Sequence, residues 1–145
     1  MKKKLLSMCK GILMSFLLCL SVSAFSQEIR YEKTAVIGRD GTRAAVNGGA
    51  IKISYSGRFL TLTYLGGAPQ YNTFKFQYHH SENNNNIYYQ VATEITTGQK
   101  VLNESSVIVV SADKSLVNQL DLMQGIRQST TIYERKDESY GTMAR

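Results

Sequence analysis

One stretch, residues 50–64, constrains the fold of this chain more than any other. Apolar residues occupy every second position on both sides of a turn at Ser56-Gly57: Ile51, Ile53, Tyr55, Leu60, Leu62 and Tyr64. Successive side chains of a strand point to opposite faces, so this pattern predicts a β-hairpin with one apolar face. A hairpin alone is only marginally stable in water. The rest of the chain must therefore supply more strands to cover that face.

The first 26 residues have the three-part pattern of a secretory signal peptide. Four lysines precede an apolar core at residues 12–20, which is too short to span a bilayer as a helix. Small residues follow, and we expect cleavage after Ser26, with Ala24 as the alternative site. A retained membrane anchor is the competing interpretation. We expect an exported protein (periplasm, outer envelope or extracellular) with no membrane span in the mature chain.

The domain organisation follows from this segment. The sequence predicts a signal peptide at residues 1–26, one antiparallel β domain at residues 27–136 and a flexible polar tail at residues 137–145. A domain of this length can bury a core without covalent cross-links. No repeat, linker or second compositional zone indicates a further domain.

Removing the signal peptide changes the charge and the redox chemistry of the chain. Four of the 17 basic residues and none of the 11 acidic ones lie in it, so the mature chain carries 13 against 11, a net charge of about +2. This balance gives no argument for a nucleic-acid partner. Cys9 and Cys19 also lie in the segment, so we expect neither a disulfide nor a thiolate. Lipid attachment at Cys19 is disfavoured because leucines, not small residues, precede it.

The remaining chain repeats short alternating stretches at roughly ten-residue spacing, separated by turn residues. Short connections force antiparallel neighbours. Residues 114–123 allow a helix or a strand, and the hairpin-length turns beside them favour the strand. The predicted fold class is all-β, a single antiparallel meander barrel or barrel-like sandwich of about eight strands. Besides the 50–64 hairpin, we predict strands at residues 28–37, 42–46, 72–79, 87–95, 106–111, 116–122 and 129–135.

Two short segments in the second half of the chain carry a family resemblance. They are residues 109–115, with the sequence VVSADKS, and residues 129–135, with the sequence STTIYER. With the strand-turn-strand succession of residues 59–135, they resemble small secreted bacterial lipocalin-like (calycin-type) domains. The resemblance implies a meander closed into a small barrel. The chain has no tryptophan and so lacks the Gly-x-Trp element of better-known lipocalins. No functional residue is carried over from the family.

Residues with catalytic or metal-binding chemistry are few and scattered. His79 and His80 are adjacent, so a strand directs them to opposite faces, away from a shared metal ion. Asp40 and Asp113 lie in turn signals, where short polar side chains serve the backbone. The asparagine run at residues 83–86, inside a polar loop predicted at residues 81–86, predicts a solvated hairpin tip that tolerates left-handed backbone geometry, with recognition of sugar or peptide as the alternative. Without a nucleophile–base pair, we expect no enzyme, no cofactor and no metal.

The aromatic residues allow two interpretations. They can fill a core, or they can line a barrel of about eight strands, which has room for one small ligand. We predict that Leu62, Phe74 and Phe76 face the interior. Tyrosine offers an apolar ring and one hydroxyl, which suits an amphipathic guest. The candidate ligand-binding residues are the tyrosines on predicted interior faces: Tyr55, Tyr64, Tyr78 and Tyr89.

The sequence therefore favours an exported lipocalin-like binding module for a small amphipathic ligand. The alternative is an envelope interaction protein without a cavity, such as an inhibitor or an accessory subunit. An internal cavity favours the first hypothesis, and a filled barrel with an exposed apolar patch favours the second.

Overall fold

The structure, a computed structural model, describes residues 26–46, 48–66 and 72–136. Within these ranges the chain forms strands and no helix, which confirms the all-β prediction. Residues 114–123, which allowed either element, contain a strand. The predicted signal peptide, apart from Ser26, and the predicted tail lie outside the described residues. The strands are β1 (Gln27–Ile37), β2 (Arg43–Ala45), β3 (Ala50–Ser56), β4 (Phe59–Leu65), β5 (Thr73–Glu82), β6 (Asn85–Thr93), β7 (Lys100–Ser111), β8 (Leu116–Met123) and β9 (Ile126–Arg135).

The strands form one antiparallel sheet that closes on itself. Each strand from β3 to β9 pairs with its neighbour in sequence, and β9 returns to pair with β1. Eight strands thereby complete a barrel, while β2 pairs with β1 alone. Closure gives each of the eight strands a hydrogen-bonded neighbour on both sides. An open meander would instead leave one unpaired edge on its first strand and one on its last.

β2 and β3 run along the same edge of β1 as one interrupted strand. β3 pairs with residues 27–32 of β1, and β2 pairs with residues 35–37. Two backbone hydrogen bonds bridge the gap, from Lys33 N to the Gly49 carbonyl (2.9 Å) and from Val46 N to the Thr34 carbonyl (3.2 Å). Gly49 has a φ of +96°, which side-chain-bearing residues rarely adopt. The glycine lets the chain leave the ladder and rejoin it.

The core lies on the face that the 50–64 pattern predicted. Cross-strand partners share a face, and Ile53 lies opposite Leu62 while Leu60 lies opposite Phe76. These four side chains are at most 2% exposed, which confirms the predicted interior position of Leu62 and Phe76. Phe74 lies opposite Leu62 and faces the same way, but it is 36% exposed near the end of the barrel.

One strand, β6, faces the opposite way from the prediction. Tyr88, not Tyr89, belongs to the core: it is 7% exposed and lies opposite Tyr78 and Ile108. Tyr89 lies opposite Gln77 on the outer face. The prediction failed because the outward-facing residues of β6, which include Tyr89, are more apolar than the inward-facing ones and lie beside Val107 of β7. Apolarity alone therefore did not identify the interior face of this strand.

The asparagine run forms the hairpin tip predicted for it, and this tip is tighter than the polar loop expected at residues 81–86. β5 continues to Glu82 and β6 begins at Asn85. Asn83 and Asn84 have φ values of 49° and 63°. Two successive residues with positive φ form the type I′ geometry that matches the twist of a hairpin, and asparagine tolerates it.

Candidate functional site

Side chains close one end of the barrel. The Tyr31 hydroxyl donates to the Lys114 carbonyl (2.9 Å) and lies 2.8 Å from the Tyr55 hydroxyl. Because Tyr31 has one proton to give, Tyr55 must donate to Tyr31. Lys114 Nζ lies 4.6 Å from the centre of the Tyr55 ring and donates to the Gln27 side-chain oxygen. This end is therefore a satisfied polar plug.

Burial raises the pKa of Tyr31 and of Tyr55, and the hydrogen bond that Tyr55 donates to Tyr31 raises the Tyr55 pKa further. Burial likewise raises the pKa of Tyr88. These hydroxyls remain neutral at physiological pH, so they act as structural hydrogen-bonding groups.

The opposite end of the barrel opens into a cavity of about 270 Å³. Each side chain that lines it lies on the face of its strand that points into the barrel, as shown by cross-strand pairs such as Phe76 with Gln90 and Ser106 with Asp121. The lining residues come from five consecutive strands: Tyr64, Phe74, Phe76, Gln90, Ser106, Gln119 and Asp121.

The cavity has one aromatic wall, built by β4 and β5. The rings of Tyr64 and Phe74 meet edge to face, with centroids 5.9 Å apart. The Tyr64 hydroxyl donates to Gln119 Oε1 at 2.8 Å, which joins this wall to β8 on the other side of the cavity. Burial raises the Tyr64 pKa, the Gln119 hydrogen bond lowers it, and the negative charge of Asp121 raises it.

The other wall is polar and is built by β6, β7 and β8. Gln90, Ser106, Gln119 and Asp121 contribute amides, a hydroxyl and a carboxylate. Ser129 Oγ donates to Asp121 Oδ2 at 3.0 Å and supports the carboxylate from β9. Asp121 is the one charged side chain among the described residues that line the cavity. An aromatic wall facing hydrogen-bonding groups is typical of a small-molecule site.

A large bulge in β7 shapes the polar wall. Tyr89 of β6 lies opposite Val107, but Gln90 lies opposite Asn103, so residues 104–106 have no partner on β6. Ser106, which has a short side chain, adjoins the bulge and faces the cavity because it lies two positions from the inward-facing Ile108 and pairs with Asp121 of β8. Beyond the bulge, β6 and β7 continue as a two-stranded arm past the open end of the barrel.

Apolar side chains surround the open end. Seven of the eight large hydrophobic side chains that are exposed in the described part of the chain lie at the strand ends and connection of this side. We call these seven the rim. They are Leu65, Phe74, Ile95, Val101, Leu102, Met123 and Ile126.

The four predicted ligand-binding tyrosines occupy different places. Tyr64 lines the cavity, whereas Tyr55 belongs to the closed end. Tyr78 faces the interior near Tyr88, with ring centroids 5.8 Å apart, and its hydroxyl contacts Ser81. Tyr89 lies outside the barrel, contrary to the face assigned to it. The prediction that these residues contact a ligand stays a prediction.

Sequence reasoning missed the polar wall. The alternation of Leu116, Asn118, Leu120 and Leu122 favours one face of β8 as the interior, but the inward face carries Val117, Gln119 and Asp121. The available signal was a short row of two polar residues at alternate positions, Gln119 and Asp121. Such a row is expected where one face of a strand borders a polar cavity.

The two histidines lie side by side, so the prediction that they point to opposite faces is wrong. A register shift between Tyr78 and His80 makes His79 a bulge residue. The two Nδ1 atoms approach to 2.6 Å, and His80 Nε2 lies 3.6 Å from a Glu82 carboxylate oxygen. Within the described ranges no group of three or more His, Cys, Asp or Glu side chains is placed to hold a metal ion.

Both turn aspartates serve the backbone, as predicted. Asp40 accepts from Thr42 N at 2.9 Å, and Asp113 accepts from Ser115 N at 3.0 Å. The backbone hydrogen bond from Ser115 and the hydroxyls of Ser111 and Ser115 lower the pKa of Asp113 to about 2. These carboxylates are exposed and each makes its own local contacts.

A second groove, of about 560 Å³, lies where β1 meets the β2–β3 connection. Arg30, Glu32 and Lys33 line it together with backbone of the glycine pair. Lys136 neutralises Glu32 across a 3.1 Å ion pair. The groove has no aromatic or large aliphatic side chain among its lining residues, so it offers a ligand little apolar contact.

Comparisons of the chain with protein-family models, with curated proteins and with solved structures found no match. In the described ranges, none of the elements is a helix of the length and apolarity needed to cross a membrane.

Proposed function

We propose that this chain is an exported binding module that holds a small amphipathic ligand in the open end of its barrel. The observation that carries the proposal is the cavity between the Tyr64–Phe74 wall and the polar wall of β6 to β8. Mouths of β-barrels are recurrent ligand sites, and an apolar lining with a few convergent polar groups is their usual chemistry.

The size of the cavity limits the ligand. Sites for drug-sized molecules occupy roughly 300–1,000 Å³, and this cavity measures about 270 Å³. The ligand that it suits is therefore a small metabolite or the end of a longer molecule. A longer molecule would extend over the rim, whose exposed apolar side chains would then lose contact with water.

Export and a non-enzymatic role belong to the same proposal. Export is supported by the lysine-rich start, short apolar core and small residues of segment 1–26. A non-enzymatic role is supported by the cavity lining, in which Asp121 and Ser106 have no histidine or lysine beside them to form a nucleophile–base pair. The closed eight-strand barrel is compatible with the lipocalin-like resemblance.

Ligand binding can be tested by filling the cavity. Ser106→Phe places a ring in the cavity, and Ser54→Phe adds the same ring on the outer face of β3, as a matched control. We expect small amphipathic fragments to shift the NMR signals of Tyr64, Phe74 and Gln119 in the wild type and in Ser54→Phe, and not in Ser106→Phe. Fragment binding that survives Ser106→Phe, or no binding by the folded wild type, would contradict the proposal.

The rim favours a second candidate function, an envelope interaction protein. Exposed apolar side chains concentrated at one end mark protein-binding surfaces as well as ligand sites. Two variants distinguish the ligand-binding function from the protein-binding function. Ser106→Phe should abolish ligand binding and spare a protein contact made by the rim. Met123→Ser with Ile126→Ser, both at exposed positions, should weaken that contact.

A further inference from the structure

We infer that the ligand of the open-end cavity is a small organic cation, an amine with an aromatic or other flat apolar body. This inference rests on the proposed function and adds the charge of the ligand and its orientation. It comes from the distribution of charge and of ring surfaces over the two walls.

The charge of the cavity is negative. Asp121 is the one charged side chain among its described lining residues. Lys33 shares a face with Tyr133 but lies along Gly49 and lines the other groove, and Arg127 of β9 donates to the Ile37 carbonyl (3.5 Å) and the Thr130 hydroxyl (3.3 Å). An anionic ligand would therefore meet a carboxylate with no cation in the cavity wall to offset it, whereas an ammonium group would be attracted.

The carboxylate is held in place for such a contact. Ser129 Oγ donates to Oδ2 of Asp121 at 3.0 Å. An ionised carboxylate accepts several hydrogen bonds, so the serine leaves acceptor capacity for a ligand donor. Gln90 and Gln119 add amide groups on the same wall. Gln119 Oε1 already accepts from Tyr64 (2.8 Å) and Tyr133 (3.4 Å), so the acceptors that this wall offers an ammonium group are the Asp121 carboxylate, the Gln90 amide oxygen and the Ser106 hydroxyl.

The opposite wall suits the body of the ligand. Tyr64 and Phe74 form an edge-to-face pair, and Phe76 continues the apolar surface toward the core. Aromatic rings attract cations as well as apolar groups, so this wall also favours an ammonium over a carboxylate. A ligand lying between the walls would place its amine toward Asp121 and its ring toward Phe74.

Three probes that share a phenyl ring on a two-carbon chain and differ in the terminal group test the inference: phenethylamine, phenethyl alcohol and phenylacetate. Their affinities are measured by calorimetry on the wild-type protein and on Asp121→Asn, which keeps the shape of the side chain and removes its charge. Glu104→Gln is the control, because Glu104 lies in the exposed β7 bulge, outside the cavity lining. NMR spectra of each variant establish that it is folded.

We expect the wild type and Glu104→Gln to bind the amine most tightly and phenylacetate least. Asp121→Asn should weaken amine binding roughly three- to tenfold, as for a partly exposed charge contact, and leave the alcohol unchanged. Equal binding of all three probes, or an amine preference that survives Asp121→Asn, would overturn the cation assignment and leave the proposed function standing. Failure of all three to bind the wild type would count against both.

Discussion

At the scale of single residues, the buried tyrosines differ in what their hydroxyls do. Tyr31 both donates and accepts, since it gives its proton to the Lys114 carbonyl and receives that of Tyr55. Tyr55 only donates. Tyr64 donates across the cavity to Gln119. The position of a hydroxyl in a chain of hydrogen bonds determines how much stability the protein loses when that hydroxyl is removed.

We expect Tyr31→Phe to destabilise the protein more than Tyr55→Phe. Removing the Tyr31 hydroxyl leaves the buried Tyr55 donor without an acceptor, a penalty of about 1–3 kcal/mol. Removing the Tyr55 hydroxyl leaves Tyr31 still bonded to Lys114, so we expect a loss of about 0.5–1.5 kcal/mol. Chemical denaturation of both variants and of the double variant measures the difference. Equal losses for the two single variants would contradict the assigned direction of donation.

At the scale of elements, irregularities in the strands decide which side chains meet. The bulge at His79 brings the two histidines together, and the larger bulge in β7 brings Asn103 opposite Gln90. The β5–β6 turn adds a link between hairpins, because the Asn84 carbonyl accepts from Ala112 N at 3.1 Å. Each irregularity changes local backbone geometry and redirects the side chains around it.

The β5–β6 turn can be tested at Asn84, whose φ is 63°. We expect Asn84→Ala to lower the free energy of unfolding by about 1–2 kcal/mol, because a Cβ without a polar partner is disfavoured in the left-handed region. Asn84→Gly should be tolerated, since asparagine-glycine is a preferred type I′ pair. Thermal melting of both variants checks this. An alanine variant as stable as the glycine variant would show that the turn does not require positive φ.

At the scale of the whole molecule, the barrel is asymmetric along its axis. One end is closed by Tyr31, Tyr55 and Lys114, and the other holds the cavity and the rim. Tyrosines are distributed through both halves. Their shared response to alkali therefore reports on the integrity of the entire barrel.

We expect the protein to lose stability above pH 10. Burial raises the pKa of five of the nine tyrosines: Tyr31, Tyr55, Tyr64, Tyr88 and Tyr133. The unfolded state has the ordinary pKa near 10, so above it the unfolded chain releases protons that the folded chain keeps. The contribution of these five tyrosines to the free energy of unfolding is complete below pH 10 and falls as the pH rises above that value.

Tyrosinate absorbance and circular dichroism, followed together during an alkaline titration, measure this effect. The five tyrosines with a raised pKa should ionise only as the β signal is lost. Ionisation of all tyrosines in one step while the fold persists would contradict their assignment as buried.

The sequence by itself determined the strands and their antiparallel order, except for residues 100–105 of β7, which were not predicted as strand. Alternation at residues 50–64 and the turn residues act over a few positions, so they can be identified without knowledge of the rest of the chain. The same local signals located Leu62 and Phe76 in the core and the aspartates in turns. They also favoured the strand in residues 114–123.

Only the tertiary structure decided the facing of β6, the meeting of His79 with His80, the closure of β9 on β1 and the cavity beside Asp121. Each depends on the pairing register between strands, and a bulge shifts that register without a local hydrophobic signature. Tyr88 and Tyr89 illustrate the limit: both neighbours are aromatic, and cross-strand pairing with Tyr78 and Ile108 selects Tyr88 for the interior.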